Sequence, residues 1–283
     1  MDDSKDRAMH SEQVVTTIQY SPYKIKCPEK RNIIIISSLL IAMSLLIYII
    51  LPTLNNISSL SISFSNDDDS IIIEPKEKQY THCIIFLPGL GTEPRYFVKM
   101  LTNDLDINKK NTTKIIILRP PKMTLSNGRT MISWFDITLP VKSRKDYSFE
   151  DAQKSSYFLK TIIKREAKLL NGKYNKIFIG GHSQGACISL LTGYTVEYNL
   201  GGILAFSGVL FPETKILKNK EKLNVFISHG YTDRIVYFNF HSKSIKRIEK
   251  YEGVEIHHYE HIGHGIGNEV KDDLCKFLNR VMV

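Results

Sequence analysis

The sequence predicts an α/β domain, a mainly parallel, doubly wound sheet, preceded by a single transmembrane helix. Three observations carry this expectation. Short β-rich apolar runs alternate with longer amphipathic segments beyond residue 70, a pattern that places helices on both faces of a parallel sheet. Four of those runs are followed by Gly-rich or reactive motifs, and the loops beyond the carboxyl ends of parallel strands are where such sheets bind ligands. Finally, residues 33–51, "IIIISSLLIAMSLLIYIIL", contain no charge, Pro or Gly.

Residues 1–32 are polar and mixed in charge. At about 1.5 Å per residue, the run 33–51 spans a hydrocarbon core of about 30 Å. A soluble core helix normally keeps one polar face, which this run lacks. A cleaved signal peptide fits poorly, because the polar segment before the run is long and "LPTLNN" after it offers no small-x-small site. Lys24, Lys26, Lys30 and Arg31 crowd the N-terminal flank, and no Lys or Arg follows until Lys76. The positive-inside rule therefore expects a single-pass signal anchor with a cytosolic N-terminus and the following domain lumenal or extracellular. Sequons at Asn56 and Asn111 agree with that placement. Residues 52–70, rich in Ser, Asn and Asp, read as a tether, and the folded domain is expected over 71–283.

Within that domain, "HCIIFL" (82–87), "KIIIL" (114–118), "KIFIG" (176–180), "GILAFS" (202–207), "LNVFIS" (223–228) and "VEIHHY" (254–259) predict strands. Helices are expected near 94–103, 148–171, 184–197, 237–250 and 268–281. "IIIE" at 71–74 adds an edge strand, and its closeness to the next run suggests a hairpin. With 283 residues, 42% of them hydrophobic, the chain is long enough for one such domain and an appendage. Its net charge of +9 arises from short runs such as "KILKNKEK" and "KSIKRIEK", which lack interleaved aromatics. They read as solvated faces and argue against nucleic acid as a partner. The four cysteines make no C-x-x-C or Cys/His metal spacing, so no metal site is expected. Cys83, Cys187 and Cys275 read as core residues; Cys27, just before the apolar run, fits an unmodified thiol and a palmitoylation site equally.

The motif "GHSQG", Gly181 to Gly185, follows "KIFIG" and opens a predicted helix. A serine hydroxyl needs a base to take its proton and must project from the backbone to reach a carbonyl. A sharp strand-to-helix turn achieves the projection, and its close packing requires glycines at 181 and 185. Ser183 is thus the candidate nucleophile. The candidate base is His264, flanked by Gly263 and Gly265 after "VEIHHY", with His261 in reserve; His257 and His258 alternate within the strand. Asp233, five residues past "LNVFIS", is the candidate carboxylate to fix the imidazole tautomer, whereas Asp272 and Asp273 read as solvated charges. The order Ser183, Asp233, His264 is that of an α/β-hydrolase. Oxyanion donors are expected from the backbone N–H groups of Gln184, after the nucleophile, and Leu90, in "PGLG". No cofactor is called for, and no residue of the set is lost, as a silent binding module would require.

Together these residues resemble the acyl-protein thioesterases of the phospholipase/carboxylesterase group. The likeness runs from "IIFLPGLG" through "LRPPKMTLSNGRTMISWFDI", "GHSQGACISLLTGYT", "GGILAFSGVLFP" and "HGYTDRIV" to "IGHGIGNEV" and "KFLNR". It implies hydrolysis of acyl thioesters or carboxylic esters, on an acylated protein or a lipid, by depalmitoylation-type chemistry. Carboxylesterase or lysophospholipase activity is the alternative within the same mechanism. The resemblance further implies that Trp134 and Leu210 flank an acyl groove, core packing being the other reading of both. The chain departs from the family at Pro88-Gly89-Leu90-Gly91-Thr92, where His-Gly-Leu-Gly-Asp is usual; the backbone donor is kept and the polarity beside it changes.

Overall fold

Along "HCIIFL", Cys83, Ile85 and Leu87 point to one side and Ile84 and Phe86 to the other, so the segment has no polar face and needs cover on both sides. It obtains that cover as a central strand. The computed structural model describes residues 60–65, 69–107 and 109–283. The expected segment 1–32, the run 33–51 and most of the tether, with Cys27 and Asn56, lie outside the described residues. Among the described residues, no helix is long and apolar enough to cross a membrane.

The strands are β1 (Leu60–Phe64), β2 (Ile71–Pro75), β3 (His82–Leu87), β4 (Thr113–Ile117), β5 (Lys122–Thr124), β6 (Thr130–Ile132), β7 (Ile177–His182), β8 (Gly202–Phe206), β9 (Val225–Gly230) and β10 (Val254–Tyr259). Eight of them form one mixed sheet in the order β1-β2-β4-β3-β7-β8-β9-β10. Pairing is antiparallel for β1/β2 and β2/β4 and parallel from β4 to β10. β5 and β6 make a separate hairpin. This is the α/β-hydrolase fold.

The six apolar runs all become strands of the large sheet, but two local expectations change. The strand at 71–75 does not pair with β3, whose two edges are taken by β4 and β7 in parallel. It pairs instead with β4 and with β1, a strand drawn from the stretch read as tether.

Four helices follow: α1 (Phe149–Leu169), α2 (Gln184–Thr195), α3 (Phe238–Ile245) and α4 (Asn268–Val281). α1 shows one apolar face, with Ala152, Leu159, Ile163 and Ala167 buried together with Ile85, Ile177 and Ile179 of the sheet. α2 is apolar nearly all round, as a helix buried on every side should be. On the opposite face, Val270, Leu274, Phe277 and Leu278 of α4 join Ile84, Phe86, Phe206 and Phe226. The helix expected at 94–103 is a 3₁₀ turn, Pro94–Phe97, followed by a π turn, Met100–Asp104. Cys83 and Cys187 are buried and unpaired, and Cys275 accepts the Asp106 N–H at 3.2 Å.

Candidate active site

β7 ends at His182 and α2 begins at Gln184, leaving Ser183 alone in the turn at φ +56°, ψ −116°. A positive φ is strained for a residue with a Cβ. Ser183 is held there by its N–H, which donates to Phe206 O at 2.8 Å, and by the close approach of strand and helix. A Cβ on Gly185 would lie 1.9 Å from Leu87 O, and one on Gly181 2.4 Å from the same oxygen. Both positions therefore admit glycine alone.

The loop after β9 carries Asp233, whose side chain is fully buried. Its Oδ1 accepts the N–H groups of Ile235 at 2.8 Å and Val236 at 2.9 Å, and its Oδ2 lies 2.7 Å from His264 Nδ1. A carboxylate only accepts, so Nδ1 carries the proton and Nε2 is left with a lone pair. Burial pushes the Asp233 carboxyl upward, but the hydrogen bond from His264 and the two backbone donors outweigh it and hold the group below the ordinary carboxylate range. His261 is exposed. His257 stacks on Phe226, whereas His258 packs on the other side against Phe238 and His241. Asp273 is not merely solvated: it accepts the Tyr259 hydroxyl at 3.0 Å.

The His264 ring lies 4.8 Å from that of His182, the residue before Ser183. Thus the three candidates gather at one sheet edge. No hydrogen bond joins Ser183 Oγ to His264 among the described residues, a looseness common before substrate binds. The glycines beside His264 are not what shapes its loop, since a Cβ on Gly265 would meet nothing within 4 Å. Gly230 is: a Cβ there would fall 1.7 Å from Ile262 O.

Gln184 is the first residue of α2, so its N–H lies outside the intrahelical ladder. Its side-chain amide takes part elsewhere, accepting the Trp134 N–H at 3.0 Å and donating to Phe135 O at 2.8 Å. In the loop after β3, Gly91 and Thr92 commit their N–H groups to Ile132 O and Gly89 O, and that of Leu90 has no backbone acceptor among the described residues. A Cβ on Gly89 would lie 3.1 Å from Ser183 Cβ, so this loop abuts the nucleophile turn. Trp134 and Leu210, expected to flank an acyl groove or to pack in the core, are 2% and 0% exposed and belong to the hydrophobic cluster beneath α1 and α2. Trp134 donates Nε1–H to Pro88 O at 2.8 Å, which ties the departed "PGLG" loop to the core. A cavity of about 430 Å³ opens beside the site, lined in part by Tyr96, Phe97, Met100, His182, Gly265 and Ile266.

Two further histidines were not singled out from the sequence, His229 and His241, which stack beneath Asp233 with ring centroids 3.9 Å apart. The nearest sequence signal is "HGYTD", which places His229 four residues before Asp233.

A family profile described as Phospholipase/Carboxylesterase matches residues 68–282. An acyl-protein thioesterase 1 from Yarrowia lipolytica is 30% identical over 213 residues, covering 72% of this chain and 93% of the relative. One from Aspergillus fumigatus is 30% identical over 230 residues, with 74% and 92% covered. Among solved structures, Arabidopsis thaliana SOBER1 superposes with a TM-score of 0.64 at 24% identity, covering 71% of this chain and 99% of the other. The expected localisation, a single-pass membrane protein with a lumenal or extracellular domain, is corrected by these relatives. They are acyl-protein thioesterases matched over nine-tenths of their own length, and no described helix is long and apolar enough to cross a membrane.

Proposed function

This chain belongs to the phospholipase/carboxylesterase family, and from that premise we propose that it hydrolyses acyl thioesters of acylated proteins, or related carboxylic esters, through Ser183, His264 and Asp233. The family makes it a serine hydrolase of ester or thioester bonds; the residue roles and the substrate are the present reading. The observation that carries the reading is the 2.7 Å contact between Asp233 Oδ2 and His264 Nδ1, on loops at the edge where Ser183 holds its positive φ.

In this reading, His264 Nε2 takes the Ser183 proton as Oγ attacks the acyl carbonyl. The N–H groups of Leu90 and Gln184 hold the developing oxyanion. Collapse breaks the C–S or C–O bond, and His264 returns the proton to the departing thiol or alcohol. Water, deprotonated by the same imidazole, then attacks the acyl-enzyme and releases a carboxylic acid and free Ser183. Asp233 keeps Nδ1 protonated and stabilises the imidazolium. The cavity bounded by Tyr96, Phe97, Met100 and Ile266 offers apolar surface to one arm of the substrate.

The test is labelling of the purified protein with a fluorophosphonate, with and without Ser183→Ala, followed by a matched panel of acyl thioesters and oxygen esters. Labelling that depends on Ser183, with turnover of the thioesters, supports the proposal. Undiminished labelling of the alanine variant rejects Ser183 as nucleophile, and turnover of oxygen esters alone moves the substrate to the carboxylesterase side.

A further inference from the structure

Beneath Asp233 lies a pair of imidazoles that the reaction as described does not use. His229 Nε2 lies 2.9 Å from Val236 O and 3.3 Å from Asp233 Oδ2. Both oxygens are acceptors, so Nε2 carries the proton, and it bonds Val236 O. Val236 in turn gives its own N–H to Asp233 Oδ1 at 2.9 Å. His229 therefore closes the turn that cradles the carboxylate.

The second ring bonds the segment that abuts the Ser183 turn. His241 Nδ1 lies 2.7 Å from Gly208 O, again an acceptor, so Nδ1 is the protonated nitrogen. Gly208 abuts the first turn of α2: a Cβ on it would lie 2.5 Å from Ala186 Cβ and 3.1 Å from Ser183 O. The next residue, Val209, donates its N–H to Cys187 Sγ at 3.3 Å. The two rings are nearly parallel, 16° apart. A continuous path thus runs from the Ser183 turn through Gly208, His241 and His229 to Val236 and Asp233.

We propose that the stacked His229–His241 pair is a positioning device that locks the loop carrying Asp233 to the turn carrying Ser183. This rests on the reading of Ser183, His264 and Asp233 as the reacting set. Packing alone does not explain the choice of residue. His229 Nδ1 and His241 Nε2 are buried without a hydrogen-bond partner, a cost that phenylalanine rings of similar size would avoid. What imidazole adds at each position is one directed N–H, to Val236 O and to Gly208 O. Burial keeps both rings neutral, depressing them to about 4 for His229 and about 3 for His241. The groups that face the pair are Asp233 and His264 from the loops and His258 from β10.

The experiment measures kcat and KM on a p-nitrophenyl ester, with thermal melting, for His229→Leu, His229→Gln and His241→Phe in the full chain, with Asp233→Ala alongside. His229→Leu should lower kcat by about 10-fold or more with KM nearly unchanged, because a displaced carboxylate misaligns the base without touching substrate contacts. His229→Gln, whose amide N–H can reach Val236 O, should recover most of that loss. If His229→Leu fails to fold, His241→Phe carries the same expectation, since it keeps the stack and removes only the N–H to Gly208. Wild-type kcat in the folded variants, or a loss that appears in KM alone, overturns the proposal. If Asp233→Ala itself retains wild-type kcat, the reading of the reacting set fails; if it is inactive while the histidine variants are unimpaired, only the positioning role fails.

Discussion

Asp233 Oδ2 lies 2.7 Å from His264 Nδ1, while Asp233 Oδ1 is occupied by the N–H groups of Ile235 and Val236. The division of labour between the two oxygens fixes which way the carboxylate faces, and through it the imidazole tautomer. Asp233→Asn should preserve the shape of the site but can offer His264 an N–H in place of an acceptor. The imidazole would then present the wrong nitrogen to Ser183. We expect kcat to fall by about 10³-fold or more, with the melting temperature little changed, measured on any ester the wild type turns over.

Ser183 holds φ +56° in the turn between β7 and α2. Under the proposed mechanism, removing the hydroxyl alone, in Ser183→Ala, should end acyl-enzyme formation while leaving the strained backbone with its Cβ. Ser183→Gly also ends it but lets the backbone sit at positive φ without that strain. The glycine variant should therefore be the more stable of the two, by about 1 kcal/mol. Equal denaturant midpoints and slopes for the two variants would mean that the turn stores no strain at this residue.

How far the site was legible depended on how local its cause was. The turn around Ser183 could be read within five residues because strand and helix crowd each other there, a Cβ on Gly181 lying 2.6 Å from Gly185 C, although the tighter approach of both glycines, to Leu87 O on β3, is tertiary. Asp233 and His264 could be found because parallel strands bring successive loops to one edge, whatever their side chains do. Tertiary pairing is different in kind. "LSISF" does alternate apolar and Ser residues, the period of a half-buried strand, but it stands among Ser, Asn and Asp that read as a tether, and the partner of β2 follows from β3 having both its edges occupied. Trp134 and Leu210 lie in loop-like sequence, yet the loops fold inward and bury them. His229 and His241 are twelve residues apart and meet only through α3 packing on β9.

The loop that holds His264 rests on Gly230 rather than on its own glycines. A Cβ on Gly230 would meet the Ile262 carbonyl at 1.7 Å, whereas one on Gly265 would meet nothing within 4 Å. Gly230→Ala must push the 262–264 segment off the end of β9. We expect a loss of several kcal/mol of stability, in the range of buried backbone clashes, and kcat lowered by about 10²-fold in whatever folds. Gly265→Ala should shift stability by no more than about 0.5 kcal/mol. Urea titrations of both variants check the contrast, and comparable losses in the two would remove Gly230 as the support of the loop.

Far from the site, His82 at the start of β3 is 2% exposed, and burial, aided by Lys176, depresses it from 6.5 to about 4. In the unfolded chain the same imidazole protonates near its ordinary value of about 6.5. Between those two values the unfolded state binds a proton that the folded state refuses. Stability is then at its full value above pH 6.5, falls as the pH drops through the window, and levels off below about pH 4. His182, His229 and His241 are depressed in the same direction by the same burial and steepen the fall. His82→Phe removes one of these protons without touching the site. It should flatten the loss of urea-unfolding free energy between pH 7 and pH 5 by roughly 1 kcal/mol, allowing for partial solvent screening. An unchanged slope in that variant would mean that His82 takes up its proton as readily in the fold as out of it.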